Sequence, residues 1–470
     1  MAETLQYDSA VIGAGQAGVP LAAALAGSGR KTVLIERSHV GGTCVNYGCT
    51  PTKTMIASAA VAWSASRASD YGVTTGTVEV DMRRVRERKR KIVEDFRSGI
   101  EHRLEKAGVD VLRGEANFEH PGELRVVFGP DDSVRLHAGE IFINTGARPA
   151  VPPIEGLPDI NYLDSTTIME LDEVPEHLLI VGGGYIAMEF SQMFRRFGSS
   201  VTIFERGPRI LGREDEDIAD TMAQILAEDG IEIIANANVK RVQSADDGRI
   251  ILEADTPPGE RTVTGSHLLI AAGRRPNTEN LNLEAACVLV DTHGFIYVDE
   301  RLETGVPGIW AMGDVKPGPQ FTHISYDDYR IIRTNLLEGG YAGTDARLAP
   351  YTIFTDPQLG RVGLTEQQAI DQHLDFRVAR IPMSRVARAL ETGSTRGVAK
   401  AIVDADTGRI LGCAVLGVNG GEMMAAIQIA MMGNLPYTAL AEGVFAHPTL
   451  AEGLNTLFNS LEPVRRHAMA

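Results

Sequence analysis

The chain has 470 residues, of which 44% are hydrophobic and 23% charged, and its formal net charge is −17. A chain of this length exceeds what one core usually organises, so about two to four domains are expected, and the balance excludes collagenous and disordered classes. The negative charge repels phosphate backbones and anionic lipid, which argues against nucleic acid or membrane as the main partner and leaves a small soluble substrate.

The opening MAETLQYDSAVIGAGQAG carries no basic leader region, and no apolar run reaches the ~18 residues of a spanning helix. Ser9-Ala10-Val11-Ile12 reads as a strand that feeds Gly13-Ala14-Gly15-Gln16-Ala17-Gly18, an alanine-rich helix and a second strand, Thr32-Val33-Leu34-Ile35, ending in Glu36. The same unit returns as Leu178-Leu179-Ile180-Val181, the turn Gly182-Gly183-Gly184-Tyr185-Ile186-Ala187, a helix, and Val201-Thr202-Ile203-Phe204 ending in Glu205. Each acid lies 23 positions after the first glycine of its unit. Glycine permits the tight turn and close backbone approach, the helix N-terminus offers unpaired N–H groups to a pyrophosphate, and the acid accepts from a ribose. One such turn is weak evidence, but two in full strand-helix-strand context imply two bound dinucleotides.

Between these units lies Gly41-Gly42-Thr43-Cys44-Val45-Asn46-Tyr47-Gly48-Cys49-Thr50-Pro51-Thr52-Lys53. In a regular helix residues five apart would have Cα atoms roughly 8–9 Å apart, given ~1.5 Å rise and ~100° per residue, beyond the ~4.4–6.8 Å of a disulfide. A bridge here needs a distorted turn, for which Gly48 supplies freedom while Pro51 suits the start of a following helix. Four cysteines in the whole chain are too few for a secreted scaffold, which predicts a cytoplasmic protein and catalytic rather than structural pairing. The cluster holds too few ligands for a metal, and no metal site is expected. Cys287 and Cys413 stand alone and read as small buried hydrophobes. The dense basic run Met82 to Lys91 continues as a helical pattern through Ile92, Phe96, Ile100 and Leu104, with Glu94, Asp95, Glu101 and Glu105 close by. It reads as a solvated helix face without the aromatic interleaving of a nucleic-acid platform.

Four prolines between Ala147 and Asp159, and GRRPNTEN from Gly273 to Asn280, punctuate the second unit. It therefore reads as an insertion, residues 149–274, in a discontinuous first domain of residues 1–148 and 275–345. Beyond Gly339 the GGYAGTDARLAP stretch leads into residues 346–470, which read as a separate domain of mixed strands and helices.

The GGTCVNYGCTPTK segment, Ile143-Asn144-Thr145-Gly146, Ile309-Trp310-Ala311-Met312-Gly313-Asp314 and Ala446-His447-Pro448-Thr449-Leu450-Ala451-Glu452 together resemble the pyridine nucleotide-disulfide oxidoreductases: lipoamide dehydrogenase, glutathione reductase and the mercuric reductase core. The likeness spans essentially the whole chain. It implies an α/β fold with two Rossmann-like domains, for FAD and NAD(P), and an α+β C-terminal dimerisation domain. By this resemblance Cys49 is the thiol against the flavin and Cys44 the outer thiol that attacks substrate. Lys53 and Glu189 correspond to the ion pair beside the flavin, and Tyr185 to the ring covering the nicotinamide pocket. FAD falls to Gly13, Gly15, Gly18, Glu36, Gly42, Thr43, Lys53, Thr145, Gly146, Gly313 and Asp314, the last on the ribityl chain. The nicotinamide cofactor falls to Gly182, Gly184, Ala187, Glu205, Arg206 and Gly273. His447, oriented by Glu452, is the acid–base of thiol exchange and acts across the interface of a homodimer.

The wording CVNYGCTPTKT and GPQFTHISYDDYRI is nearest to mercuric reductase-like sequences. The C-terminal NSLEPVRRHAMA lacks a vicinal cysteine pair, no metal-binding domain precedes the first unit, and His447 stands where mercuric reductases usually lack histidine. These departures favour a low-molecular-weight disulfide as acceptor, over a lipoamide dehydrogenase role in a multienzyme complex, reduction of Hg(II), another metal ion or a quinone, or a non-enzymatic flavin sensor. Glu205 suits the free ribose of NADH over NADPH, with Arg206 and Arg209 as residues that could instead take a 2′-phosphate.

Overall fold

The protein is described by a computed structural model covering residues 4–465; part of the C-terminal stretch weighed above, residues 466–470, lies outside the described residues. The first sheet starts with β1 (Leu5–Ile12), α1 (Gly18–Gly27) and β2 (Thr32–Ile35). Next come α2 (Gly42–Asn46), α3 (Cys49–Ser66), α4 (Met82–Lys106), β3 (Asp110–Leu112), β4 (Glu115–His120), β5 (Glu123–Gly129) and β6 (Asp132–Ile143). The strand order is β3-β2-β1-β6-β5-β4, parallel from β3 to β6 and antiparallel through β5 and β4. Ala10, Val11, Leu34, Ile141 and Phe142 are fully buried, as continuous apolar strands covered on both faces must be.

After β7 (Ala147–Pro149) the chain builds a second parallel sheet from β8 (His177–Val181), α5 (Tyr185–Phe197), β9 (Ser200–Phe204), α6 (Glu216–Glu228) and β10 (Ile231–Ile234). An antiparallel meander of β11 (Asn238–Ser244), β12 (Ile250–Thr256) and β13 (Gly259–Gly265) follows, and β14 (His267–Ile270) completes the order β10-β9-β8-β14. β15 (Arg274–Pro276) pairs antiparallel with β7, so the outgoing and returning strands run side by side. β16 (Ile309–Ala311) then adds to β6 of the first sheet in parallel register, Ile309 opposite Ile141, and leads into α7 (Thr322–Leu337).

The remaining chain forms β17 (Tyr351–Ile353), β18 (Gln358–Gly363), α8 (Glu366–Asp371), β19 (Phe376–Pro382), α9 (Ala387–Glu391), β20 (Val398–Asp404), β21 (Ile410–Gly417), α10 (Gly420–Met432), α11 (Thr438–Ala441) and α12 (Gly453–Phe458). Its five strands are antiparallel in the order β17-β18-β21-β20-β19. The architecture is α/β, two dinucleotide-binding-type sheets plus this α+β unit. Among the described residues no helix is long and apolar enough to cross a membrane.

Buried charges join the third sheet to the second. Arg361 of β18 meets Glu214 (Nε 3.0 Å), both side chains 3% exposed, and Lys400 of β20 reaches Asp215 at 3.2 Å, Asp217 at 3.1 Å and Glu366 at 2.6 Å. Two expectations need correction. Cys413 is buried in β21, with its thiol pushed up to about 12 by burial, but Cys287 is exposed, in a left-handed turn after a short helical stretch. The basic run is not simply a solvated face, because Lys89 is buried against Glu170, Arg90 pairs with the same carboxylate, and Arg86 donates to the Glu170 carbonyl at 2.8 Å. Arginine and lysine stems cover apolar surface while their heads find this acidic anchor.

Candidate functional site

The two cysteines sit on separate helices. Cys44 is inside α2 and Cys49 is the first residue of α3, with Tyr47 and Gly48 between them. Gly48 adopts φ −128°, ψ −116°, and a side chain there would bring a Cβ to 2.9 Å from the Thr43 carbonyl oxygen. Only glycine allows this link. Pro51, third in α3, occupies a position whose N–H needs no helical partner. The helix start also leaves Cys49 in the positive field of an 18-residue helix, which favours a thiolate.

Both thiols are free, and their environments are unequal. The Cys49 thiol is lowered to about 6, first by its hydrogen bond with Cys44, then by Thr322 and the Lys53 ammonium, against burial and Glu189. Cys44 is pushed far up, first by donating to Cys49 and then by burial. One proton is thus held on Cys44 while Cys49 carries the charge. The Thr322 Oγ1 lies 3.4 Å from the Cys49 Sγ.

One turn along α3, Lys53 Nζ is 2.7 Å from Glu189 Oε2, and the Glu189 side chain is 4% exposed. Glu189 also accepts the Phe354 N–H at 2.9 Å, while the Phe354 ring lies 4.9 Å from Lys53 Nζ. Three regions of the chain therefore fix this ion pair. Tyr185 opens α5, four residues before Glu189, and its ring packs against Phe321 at 5.8 Å. Burial raises the Tyr185 hydroxyl, so it stays protonated at neutral pH.

The first glycine turn is shaped for close approach. Gly13 has φ +103°, and a Cβ on Gly18 would fall 2.2 Å from the Gly13 carbonyl oxygen. A Cβ on Gly42 would fall 2.7 Å from the Gly15 Cα. Glu36 accepts the Ala14 N–H at 2.8 Å, and no side chain caps α1. A cavity of about 370 Å³ opens beside this turn, lined by Gly13, Glu36, Gly114, Thr145 and Arg148 among others. Thr145 donates to the Asn277 carbonyl at 2.8 Å, and Gly146 stands at φ +68°. Thr43 follows in α2. These features fit the phosphates and adenosine of FAD. At the far end Asp314 lies 3.5 Å from Arg274, its carboxyl raised by burial against the pull of that arginine, while the preceding Gly313 N–H donates to Asp328 at 2.8 Å.

The second turn repeats the design. Gly182 has φ +111°, α5 begins after an uncapped Gly184, and Ala187 is fully buried. Glu205 curls toward the turn: a Cβ on Gly183 would lie 2.7 Å from its Oε2, while Oε1 accepts the Gly207 N–H. Arg206 is exposed, and Arg209 is held by Glu216 and Asp220, each at 2.9 Å. Gly273 accepts the Ala150 N–H and stands at φ +119°.

The structure thus brings Cys44, Cys49, Lys53, Glu189 and Tyr185 together. His447 lies elsewhere, 69% exposed, its Nδ1 2.9 Å from Glu452. Thr322, Phe354, Arg274 and Asp328 escaped the sequence reading. Thr322 lies inside the GPQFTHISYDDYRI string but 273 positions from Cys49, and Phe354 acts on Glu189 through its backbone, which no side-chain pattern announces. Arg274 stands in GRRPNTEN, where Gly273 alone was expected to have a role. Among the described residues no group of three His, Cys, Asp or Glu side chains is placed to hold a metal ion.

Residues 7–328 match the family described as pyridine nucleotide-disulphide oxidoreductase, and residues 349–458 match its dimerisation domain. The chain is 42% identical over 459 residues to the probable pyridine nucleotide-disulfide oxidoreductase RclA of Escherichia coli (strain K12), covering 97% of this chain and 99% of that protein. It is 35% identical over 450 residues to a mercuric reductase of Staphylococcus aureus, covering 95% and 81% respectively. A solved structure described as a Cu(II) complex of HOCl-induced flavoprotein disulfide reductase RclA from Escherichia coli superimposes with a TM-score of 0.88 at 41% identity, over 97% of this chain and 99% of that one.

Proposed function

The chain belongs to the pyridine nucleotide-disulphide oxidoreductases, and we propose that it passes two electrons from NADH, through FAD and the Cys44–Cys49 pair, to a low-molecular-weight organic disulfide. The observation that carries this reading is the placement of the pair: Cys49 starts α3, faces Thr322 at 3.4 Å and lies one turn from the Lys53–Glu189 ion pair, a setting that favours charge on Cys49 over Cys44. Bound FAD supplies the acceptance of hydride from the nicotinamide and its relay, as two electrons, to the disulfide. The Gly13–Gly18 turn, Glu36 and Gly42 would hold its adenosine diphosphate half, and Thr43, Thr145, Gly146, Gly313 and Asp314 the remainder. Lys53, fixed by Glu189, would balance negative charge beside it.

The chain's own residues account for the exchange with substrate. Cys44 gives up its proton to His447 and attacks one sulfur of the disulfide, breaking the S–S bond. The first thiol leaves with a proton returned by His447, whose ring Glu452 orients. The Cys49 thiolate then attacks Cys44 and expels the second half of the substrate as a thiolate, which takes its proton from water, re-forming the Cys44–Cys49 bridge. The two electrons lost by the dithiol equal those gained by the substrate. The dimerisation-domain match to residues 349–458 and the exposed His447–Glu452 pair support a homodimer in which the partner supplies this histidine. NADH is preferred because Glu205 faces the second glycine turn and Arg209 is committed to Glu216 and Asp220, leaving Arg206 alone to receive a 2′-phosphate.

A second reading, reduction of a thiophilic metal ion, is favoured by the similarity to a mercuric reductase and to a protein solved with Cu(II); paired thiolates bind soft ions strongly. Steady-state oxidation of NADH and NADPH against organic disulfides, lipoamide, Hg(II), Cu(II) and quinones separates the possibilities. An organic disulfide is expected to give the highest kcat/KM, and NADH to exceed NADPH. Sustained metal turnover in excess thiol at rates matching the best disulfide would overturn the choice of acceptor.

A further inference from the structure

Phe321 directly precedes α7 in extended conformation, at φ −130° and ψ 150°. Its ring stacks on Tyr351 at 5.4 Å and 8° and on His323 at 5.5 Å and 9°, and meets Tyr185 at 5.8 Å and 42°. Each of these two stacking rings is itself held. The Tyr351 hydroxyl is bonded to Glu214 of the buried Glu214–Arg361 pair, and the His323 Nε2 lies 2.6 Å from the Pro350 carbonyl. The next residue, Thr322, lies 3.4 Å from the Cys49 sulfur. A thiolate only accepts, so the threonine hydroxyl is the donor when Cys49 is charged.

We propose that Phe321 is a positioning residue: stacked on Tyr351 and His323, it aims the Thr322 hydroxyl at Cys49 and backs the Tyr185 ring, so that one dipeptide sets both the thiolate and the nicotinamide entrance. The inference rests on the reading of Cys44 and Cys49 as the redox pair and Tyr185 as the nicotinamide cover. Charged and titratable groups also face Cys49 from Cys44 on α2, Lys53 on α3, and Tyr185 and Glu189 on α5. With residue 44 held as serine throughout, every Phe321 and Thr322 variant leaves Lys53 and Glu189 in place, and Tyr185, the one group that Phe321→Leu frees, is uncharged at neutral pH, so a shift reports the α7 end.

The test uses FAD-loaded protein in a Cys44→Ser background, in which the long-wavelength thiolate absorbance is titrated with pH. Thr322→Val and Phe321→Leu are each expected to raise the midpoint by about one unit, about a tenfold loss of thiolate at fixed pH below it. Thr322→Ser and Phe321→Tyr should restore it. With Cys44 intact, Phe321→Leu should also lower KM for NADH by about threefold, as the freed Tyr185 spends more time aside, while Thr322→Val leaves KM unchanged. If Phe321→Leu does not fold, Tyr351→Phe replaces it, with a smaller shift in the same direction expected. A midpoint that moves in Thr322→Val but not in Phe321→Leu overturns the positioning role, as does a midpoint moved by neither. Failure of Phe321→Tyr to rescue would also overturn it. Absence of thiolate absorbance in the Cys44→Ser parent at any pH would instead sink the redox-pair reading and this inference with it.

Discussion

Cys44 and Cys49 are the same residue type five positions apart, and what separates them is the set of atoms each sulfur touches. Cys49 begins a helix, faces Thr322 and Lys53, and is held at about 6 first by its hydrogen bond from Cys44. Its thiolate is therefore expected to be populated above about pH 6 and lost as pH falls through that value. Reductive titration of the holoprotein should take up four electrons per FAD, two for the flavin and two for the bridge, with thiolate absorbance at the two-electron stage. Cys49→Ser should abolish that absorbance and Cys44→Ser should keep it. An uptake of only two electrons would rule out a redox bridge. The pair was legible because glycine, proline and cysteine stand together in thirteen residues. Thr322 was not, because hydrogen-bond partners supplied by distant chain leave no local pattern. Cys287 misled for a related reason: burial depends on which face of a turn points outward, and a lone cysteine carries no periodicity to reveal it.

At the level of elements, the two strand-glycine-helix-strand units could be read directly, since φ above +100° at Gly13 and Gly182 is a demand that one residue type meets cheaply. The joints between sheets could not. Glu214, Asp215 and Asp217 look like ordinary helix-start acids, and Arg361 and Lys400 like interruptions of apolar strands, until the third sheet folds onto the loop before α6. The α4 run shows the same limit, since its cations are chosen by Glu170, a residue from a different segment. The Arg361–Glu214 contact gives a test of this joint. Burial works against the Arg361 charge, and Glu214 more than restores it, so the guanidinium stays charged. Arg361→Met strands the Glu214 charge in a buried site and should cost about 3–5 kcal/mol, whereas Glu214→Gln leaves Arg361 a second carboxylate, Asp215 at 3.5 Å, and should cost less. The double variant, with no stranded charge, should recover part of that loss. Denaturant unfolding of the FAD-loaded protein measures all three, and single variants within about 0.5 kcal/mol of wild type would show that the contact carries no weight.

At the scale of the whole molecule, the proposal divides the chemistry between two chains: His447 and Glu452 pair with each other on an exposed segment while Cys49 faces Thr322 of α7. The same region exposes Ile429 at 69%, Met432 at 66% and Val444 at 103%, apolar surface of the kind that a second subunit covers. In the proposed two-fold dimer each site would take its cysteines from one chain and its histidine from the other. Cys44→Ser and His447→Ala homodimers should then both be nearly inactive with a disulfide substrate, because each lacks one component at both sites. The His447→Ala homodimer should still accept electrons from NADH at a nearly normal rate, which distinguishes loss of proton transfer from loss of structure. Co-expressing the two variants gives heterodimers in which one site carries both substitutions and the other neither. With random pairing about half the dimers are mixed, and each regains one of two sites, so disulfide reductase activity should return to about a quarter of wild type. If the histidine instead served the cysteines of its own chain, every site in the mixture would carry one lesion and activity would stay at the level of the parents. Tagging each variant differently and purifying through both tags isolates the mixed species, for which the two arrangements differ most: about half of wild-type activity against almost none.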